Sequence, residues 1–225
     1  MDYNATPLIR VDVLMVSLPE DKALPLLPAL REPAQIQATQ TRLLEMIGRK
    51  EATLEAWPEV TMHSGLRSVC ESITEQRYPI GYEDPTAAIA PDGKIDSELT
   101  AAQKALIQLR KSGLAVPTTF ETRNTGATLE VEAVVSPDGS SVGLQFAPQL
   151  VRLESMRPFE AGVSDKGTKM TIEQPIFSTA KVNTSLSLRD GERRLIYAGK
   201  SGEVRGRMDL FIVGAKIFPA PATKR

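Results

Sequence analysis

The chain has 225 residues, of which 41% are hydrophobic, so it can bury a sizeable core. Its 27 basic and 28 acidic residues nearly cancel, which removes any general electrostatic argument for nucleic acid or a charged membrane surface as partner. The single cysteine, Cys70, excludes an intramolecular disulfide, and no run reaches the roughly 18 apolar residues of a membrane-spanning helix.

Leu8–Leu18 alternates as a strand that is apolar on both faces, Ile9, Val11, Val13 and Met15 on one and Leu14, Val16 and Leu18 on the other, so it is expected in the interior. Pro19, Pro25, Pro28 and Pro33 forbid a continuous helix over Glu20–Glu32 and leave room for a short turn around Leu24–Leu27. A helix is expected over Pro33–Ile47, with Ile36, Leu43, Leu44 and Ile47 on one side and Gly48 as its stop. Leu54–Met62 and Ser68–Ile80 read as strands, and Glu83–Ile95 as a turn-rich connection. Ser97–Ser112 carries a capping-box pattern, Thr100 with Gln103, and an apolar side of Leu99, Leu106, Ile107 and Leu109, which predicts a helical insertion at about 85–116.

The longest period-two patterning lies in Pro117–Glu154. Leu129, Val131, Ala133 and Val135 alternate with polar residues, Ser136-Pro137-Asp138-Gly139 turns the chain, and Val142, Leu144 and Phe146 resume the alternation, which predicts a β-hairpin. Phe120 and Thr122 have the other parity, so a bulge is expected near Asn124-Thr125-Gly126, with a similar break at Pro148. Glu160–Lys169 reads as a loop. Met170–Ile176, Ala180–Leu188, Leu195–Ala198 and Met208–Phe218 complete the strands, the last of them central, and Pro219–Arg225 is a frayed tail.

A search for chemistry returns no catalytic, cofactor-binding or metal-ligating set, and no cofactor. His63 is the only histidine and lies in no nucleophile context, and one His with one Cys does not make a usual zinc site. Asp92, Asp138 and Asp190 each precede Gly and are explained by turn geometry. Gly199, Gly202 and Gly206 do not open a helix in the phosphate-binding pattern. Trp57 reads as core or edge packing, and the tyrosines do not interleave with basic residues. Arg189, Arg193, Arg194, Lys200, Arg205 and Arg207 read as a solvated strand face.

Several phrases, in order, resemble the secretin family, the outer-membrane proteins of type II secretion and type IV pilus systems. Trp57-Pro58-Glu59-Val60, Gly65 and Tyr78-Pro79 resemble its A-P-x-V, G-x-x-A and P-Y sequence. Pro117–Glu121, Asn124-Thr125-Gly126, Leu129–Glu132 and Pro137-Asp138-Gly139 resemble a strand ending in N-x-G, an L-x-V-x-P strand and a D-G turn. Gln174–Thr179 through Asp190-Gly191-Glu192 resembles the strand leading to its D-G-Q turn, and Leu210–Ile217 its final strand. The family's V-P-x-L-G-D lip segment is absent between Gly199 and Leu210. Without it, and with no pair of long amphipathic hairpins in the patterning, a closed transmembrane barrel is not expected.

The resemblance implies a non-enzymatic structural or accessory protein of a bacterial type IV pilus or type II-like secretion assembly, bound to pilus or secretion-system proteins or to itself, with no nucleic acid and no membrane-spanning segment. The location implied is the cell envelope, periplasm or outer membrane, with an export signal removed ahead of Met1. The alternative is a free-standing β-sandwich, a pilus-fibre component or adhesin that binds a surface ligand; an unrecognised enzyme is the third reading. The expected fold is α+β: one domain over 1–225, a mainly antiparallel two-layer β structure with two helices packed on it. An immunoglobulin-like sandwich and an open secretin-type sheet both fit. Within it, Thr179–Leu188 shows Val182, Thr184, Leu186 and Leu188 on one face and Lys181, Asn183, Ser185 and Ser187 on the other, the pattern of an edge strand or of an interior strand with one wet face.

Overall fold

A computed structural model describes residues 6–83, 116–163, 169–202 and 205–218. The predicted helix at Ser97–Ser112, the insertion at about 85–116 and the tail at Pro219–Arg225 lie outside these residues. The chain divides into two compact units, one of Met1–Thr74, Thr125–Glu154 and Phe177–Arg225, the other of Glu75–Asn124 and Ser155–Ile176.

The first unit is built around two strands that are apolar on both faces. β1 (Leu8–Pro19) and β10 (Arg207–Phe218) pair antiparallel over their whole length, Leu8 opposite Phe218 and Pro19 opposite Arg207. On the far side of β1 lie β2 (Thr53–Ala56) and β3 (Glu59–His63); beyond β10 lies β9 (Arg193–Lys200). The sequence reads Leu54–Met62 as one strand, and the structure breaks it at Trp57-Pro58. Pro58 has no N–H for the ladder but accepts from the Val13 N–H (3.0 Å), and Trp57 turns its indole N–H to Asp12.

Alternation then assigns each face. Ile9, Val11, Val13, Met15, Phe211, Val213 and Ala215 pack against Leu129, Val131, Ala133, Val142, Leu144, Phe146 and Leu188 of the second sheet. Leu14, Val16, Leu18, Leu210 and Ile212 pack against the helices. Within this unit the layers are therefore helix, sheet and sheet, which is why β1 and β10 read as almost unbroken apolar runs.

The helical layer matches its prolines. α1 (Glu20–Ala23), a 3-10 turn (Leu24–Leu26) and α2 (Leu27–Arg31) are separate short pieces, with Pro25 and Pro28 in first-turn positions where a missing N–H costs nothing. α3 (Ile36–Gly48) buries Ile36, Leu43 and Met46. Gly48 is its last helical residue rather than its stop; the left-handed residue that ends it is Lys50, at φ 60°.

The second sheet has the order β4 (Arg67–Glu83), β5 (Val116–Val135), β6 (Ser141–Val163), β7 (Lys169–Lys181), with β8 (Thr184–Arg189) also on β6. The hairpin between β5 and β6 has Val135 opposite Val142 and Gly126 opposite Val151. Gly126 lies at φ 114°, within the stretch where the parity change demanded an irregularity. In the turn, Asp138 accepts from Ser136 Oγ (2.5 Å), Ser140 Oγ (2.6 Å) and the Ser140 N–H (3.2 Å), which hold its carboxyl down at about 2. A depressed carboxyl stabilises the fold above the ordinary value of 3.8 and loses that contribution as pH falls through about 2. NMR titration should show the low midpoint, and Ser136→Ala should move it up; a midpoint near 3.8 in the parent protein would contradict this geometry.

The second unit consists of the distal parts of β4 to β7. Tyr78 donates to Glu121 (3.2 Å), Arg77 lies over the Phe120 ring (4.4 Å), and Gln174 donates to the Pro79 carbonyl (3.3 Å). None of its described residues is buried, and Ile80, Phe120, Met156 and Phe159 are exposed. This corrects the expectation of no long hairpins; of the loop expected over Glu160–Lys169, Glu160–Val163 and Lys169 are strand, and 164–168 lie outside the described residues. The strands run 17, 20, 23 and 13 residues, each beyond the roughly 9–11 that a membrane-crossing strand needs, so strand length does not argue against a barrel. The alternation was hidden because Pro158 interrupts it in β6.

Candidate functional site

The residues singled out by sequence do not converge. His63 ends β3, with Nδ1 3.1 Å from Thr6 Oγ1, and Cys70 is half-buried against the core. Among the described residues no three His, Cys, Asp or Glu side chains come together as a metal site, and no helix is long and apolar enough to cross a membrane.

The arginine-rich end is only partly a solvated face. Arg193 is drawn inward: its guanidinium straddles the Asp12 carboxylate at 2.8 and 3.1 Å, lying across Gly214, where a Cβ would be 2.8 Å from Arg193 Nη1. Trp57 Nε1 donates to the same carboxylate (2.8 Å), so Asp12 ties β1, β9 and the β2–β3 corner together. Arg207 donates to Ser17 Oγ (3.1 Å), the Ser17 carbonyl (2.9 Å) and Thr53 Oγ1 (3.1 Å). Sequence reading missed a further half-buried cation. Arg152 of β6 reaches Asp209 of β10 (2.7 Å) and Glu55 of β2 (3.1 Å), linking the two sheets.

The edge at β8 is open among the described residues. Pro148 of β6 has no N–H to give a neighbour, and the flanking strand breaks opposite it: β7 ends at Lys181 and β8 starts at Thr184, with the Val182 N–H donating to the Pro148 carbonyl (3.1 Å). β8 pairs antiparallel with β6, Ser141 opposite Arg189 through Phe146 opposite Thr184. At the two ends of this register, Val182 N bonds Pro148 O and Asp190 N bonds Ser140 O, each at 3.1 Å. Hydrogen-bonded pairs alternate along such a ladder, so the even-numbered residues face β6 and the odd ones aim their N–H and C=O outward.

Arg189 satisfies its outward N–H on the Glu192 carboxylate (2.8 Å). Asn183, Ser185 and Ser187 have no such partner among the described residues, and all three are exposed. The adjoining turn is fixed. Asp190 accepts from the Ile217 N–H (2.8 Å) and Lys216 Nζ (2.7 Å), which lower its pKa. Burial works against the Glu192 carboxylate, but the Arg189 N–H and the Arg194 guanidinium hold its pKa below the usual value. The polar outer face and apolar inner face of this strand are as the alternation predicts. β8 has one strand neighbour, β6, among the described residues, which makes it an edge.

No family model and no curated protein matches the chain. Solved structures do. The secretin InvG of the Salmonella SPI-1 type III secretion injectisome is similar at a TM-score of 0.47 and 9% identity, over 98% of this chain and 67% of that one. The type II secretin GspD of enteropathogenic Escherichia coli is similar at 0.42 and 12%, over 94% and 69%. The V. cholerae type IV competence pilus secretin PilQ is similar at 0.43 and 9%, over 94% and 61%. Across these and other secretin structures the chain spans about half to two thirds of the solved chain.

Proposed function

We propose that this protein is a non-enzymatic structural or accessory component of a bacterial type IV pilus or type II-like secretion assembly, and that it works by strand-to-strand contact at β8. The observation that carries the contact mode is the row of outward N–H and C=O groups at Asn183, Ser185 and Ser187. An unpaired edge with short polar side chains attracts another strand mainly through its backbone, the physics of β-augmentation. The class of assembly is supported by the ordered secretin-like phrases in the sequence. The partner strand belongs to a pilus or secretion protein or to another copy of this chain, and the setting is the cell envelope.

Ser185→Pro tests the contact. The Ser185 N–H points away from β6, so proline there removes an outward donor and spares the β6 ladder. The expected result is loss of assembly, read by cross-linking and light scattering with the partner or with itself, while circular dichroism and the melting curve of the isolated protein stay close to the parent. Unfolding of the isolated protein, or assembly that persists, would overturn the edge contact. Recovery of the native protein solely from the cytoplasm would overturn the envelope setting.

A further inference from the structure

The solvent side of the second sheet carries an ordered set of charges beside the open β8 edge. Register lines up its outward residues in rows across β5, β6 and β8: Glu132, Gln145 and Ser185 in one row, Val134, Gly143 and Ser187 in the next. Gly143 and the two serines keep these rows low. Two shallow hollows of about 230 and 340 Å³, both bordered by Glu132 and Gln145, open there. Glu130 holds Arg67 in an ion pair, whereas Glu132 has neither a hydrogen bond nor an ion pair among the described residues.

The cations stand at the two ends. Lys181, which ends β7, and Arg189, which ends β8, are exposed, and the buried Ala180 and Leu188 beside them put both on the outward face. Glu192 lies near Arg189, but its carboxylate is already engaged by the Arg189 N–H and the Arg194 guanidinium. Along the edge the order is therefore cation, neutral stretch, cation, with an anion behind the middle. That order works against a second copy as occupant. Two β8 strands paired antiparallel about Ser185 would set Lys181 opposite Arg189 at both ends, and like charges directly opposite destabilise a strand pair. A strand of complementary charge fits instead. It would lie about 14 Å from β5, three strand spacings away. A guanidinium or ammonium opposite Ser185 passes over that short side chain, donates to the Gln145 side-chain carbonyl and brings its charge toward Glu132.

We propose that β8 receives a strand of a different protein, with lysine or arginine at the centre of its outward face and acidic residues toward both ends. This rests on the β8 edge contact proposed above and names the partner's chemistry. The test is a titration of the full chain, followed by NMR, with three strand-forming peptides of threonine and valine as probes. One carries arginine at its centre and glutamate at each end, one has these charges exchanged, and one has glutamine at all these places. The first should shift the amides of residues 183–187 and bind about fivefold to tenfold more tightly than the second, the sum of a few cross-strand charge contacts. Glu132→Lys, at an exposed site, should cut that preference to about twofold and leave the glutamine peptide's binding unchanged. Equal binding of all three peptides, lost in Ser185→Pro, would overturn the charge pattern and leave the edge contact standing. Failure of all three to bind, or binding that Ser185→Pro leaves unchanged, would overturn the edge contact and this inference with it. Self-association of the chain alone that Ser185→Pro abolishes would assign the edge to a second copy and overturn the choice of partner.

Discussion

Replacing Arg152 by alanine is expected to cost about 3–5 kcal/mol of stability, because it strands the buried Asp209 carboxylate without its one charge partner among the described residues. The side chains of Arg152 and Asp209 are 17% and 1% exposed, so solvent screens the pair little. The cost belongs to the uncompensated charge and not to the value of the pair, and that distinction can be measured. The double change Arg152→Met with Asp209→Leu removes the buried pair, keeps similar volume and leaves only Glu55, 20% exposed and within reach of solvent, so it should recover most of the loss. Urea melts of the parent, the single variant and the double variant decide it. A single variant within about 1 kcal/mol of the parent would mean that water or another cation reaches Asp209, since exposed pairs are worth no more than that.

How much of this was legible in the sequence follows from how each feature announces itself. Strands buried on both faces are conspicuous, so β1 and β10 were readable as interior from their apolar runs. The β5–β6 hairpin was readable because turn chemistry and alternation agree, with Pro137, Asp138 and Gly139 between two phased strands. What failed is what rests on contacts between distant segments. Arg152 sits two residues after buried Leu150, at a core-facing position, and Asp209 interrupts the apolar run Met208–Ala215. Each alone reads as an ordinary charge, and only the packing of the two sheets brings them to 2.7 Å. Lone charges inside apolar strands, Asp12 among them, were the available signal.

The arginine-rich end was misread for the same reason. Its charge pattern is that of a solvated face, but Arg193 and Arg207 find acceptors at Asp12 and Ser17, some 180 to 190 residues earlier. Conversely, the β8 edge was half legible. Alternation gave its two faces, but edge or interior is a matter of what lies beside a strand, which no pattern within the strand records. Pro148 held part of the answer, since its missing N–H sets where the flanking strand divides.

Gly126→Ala is the second change expected to have a large effect. At φ 114° an L side chain is strained wherever it is placed, and here a Cβ would also lie 2.1 Å from the Ser72 carbonyl oxygen and 3.1 Å from the Ile73 Cα. Those atoms are backbone of β4, so no side-chain rotation relieves the clash; the β4–β5 pairing itself must open. Adding a strained backbone to an overpacked contact gives a cost of at least about 3 kcal/mol. For a chain of this size that is a fall of roughly 6–12 °C in Tm. Gly139→Ala is the informative comparison. It too has positive φ, 72°, but an added Cβ meets nothing within 4 Å, so only the conformational part of the penalty, about 1 kcal/mol, is expected there. If the two variants melt together, the close approach of β5 to β4 at Ser72 is not what demands glycine at position 126.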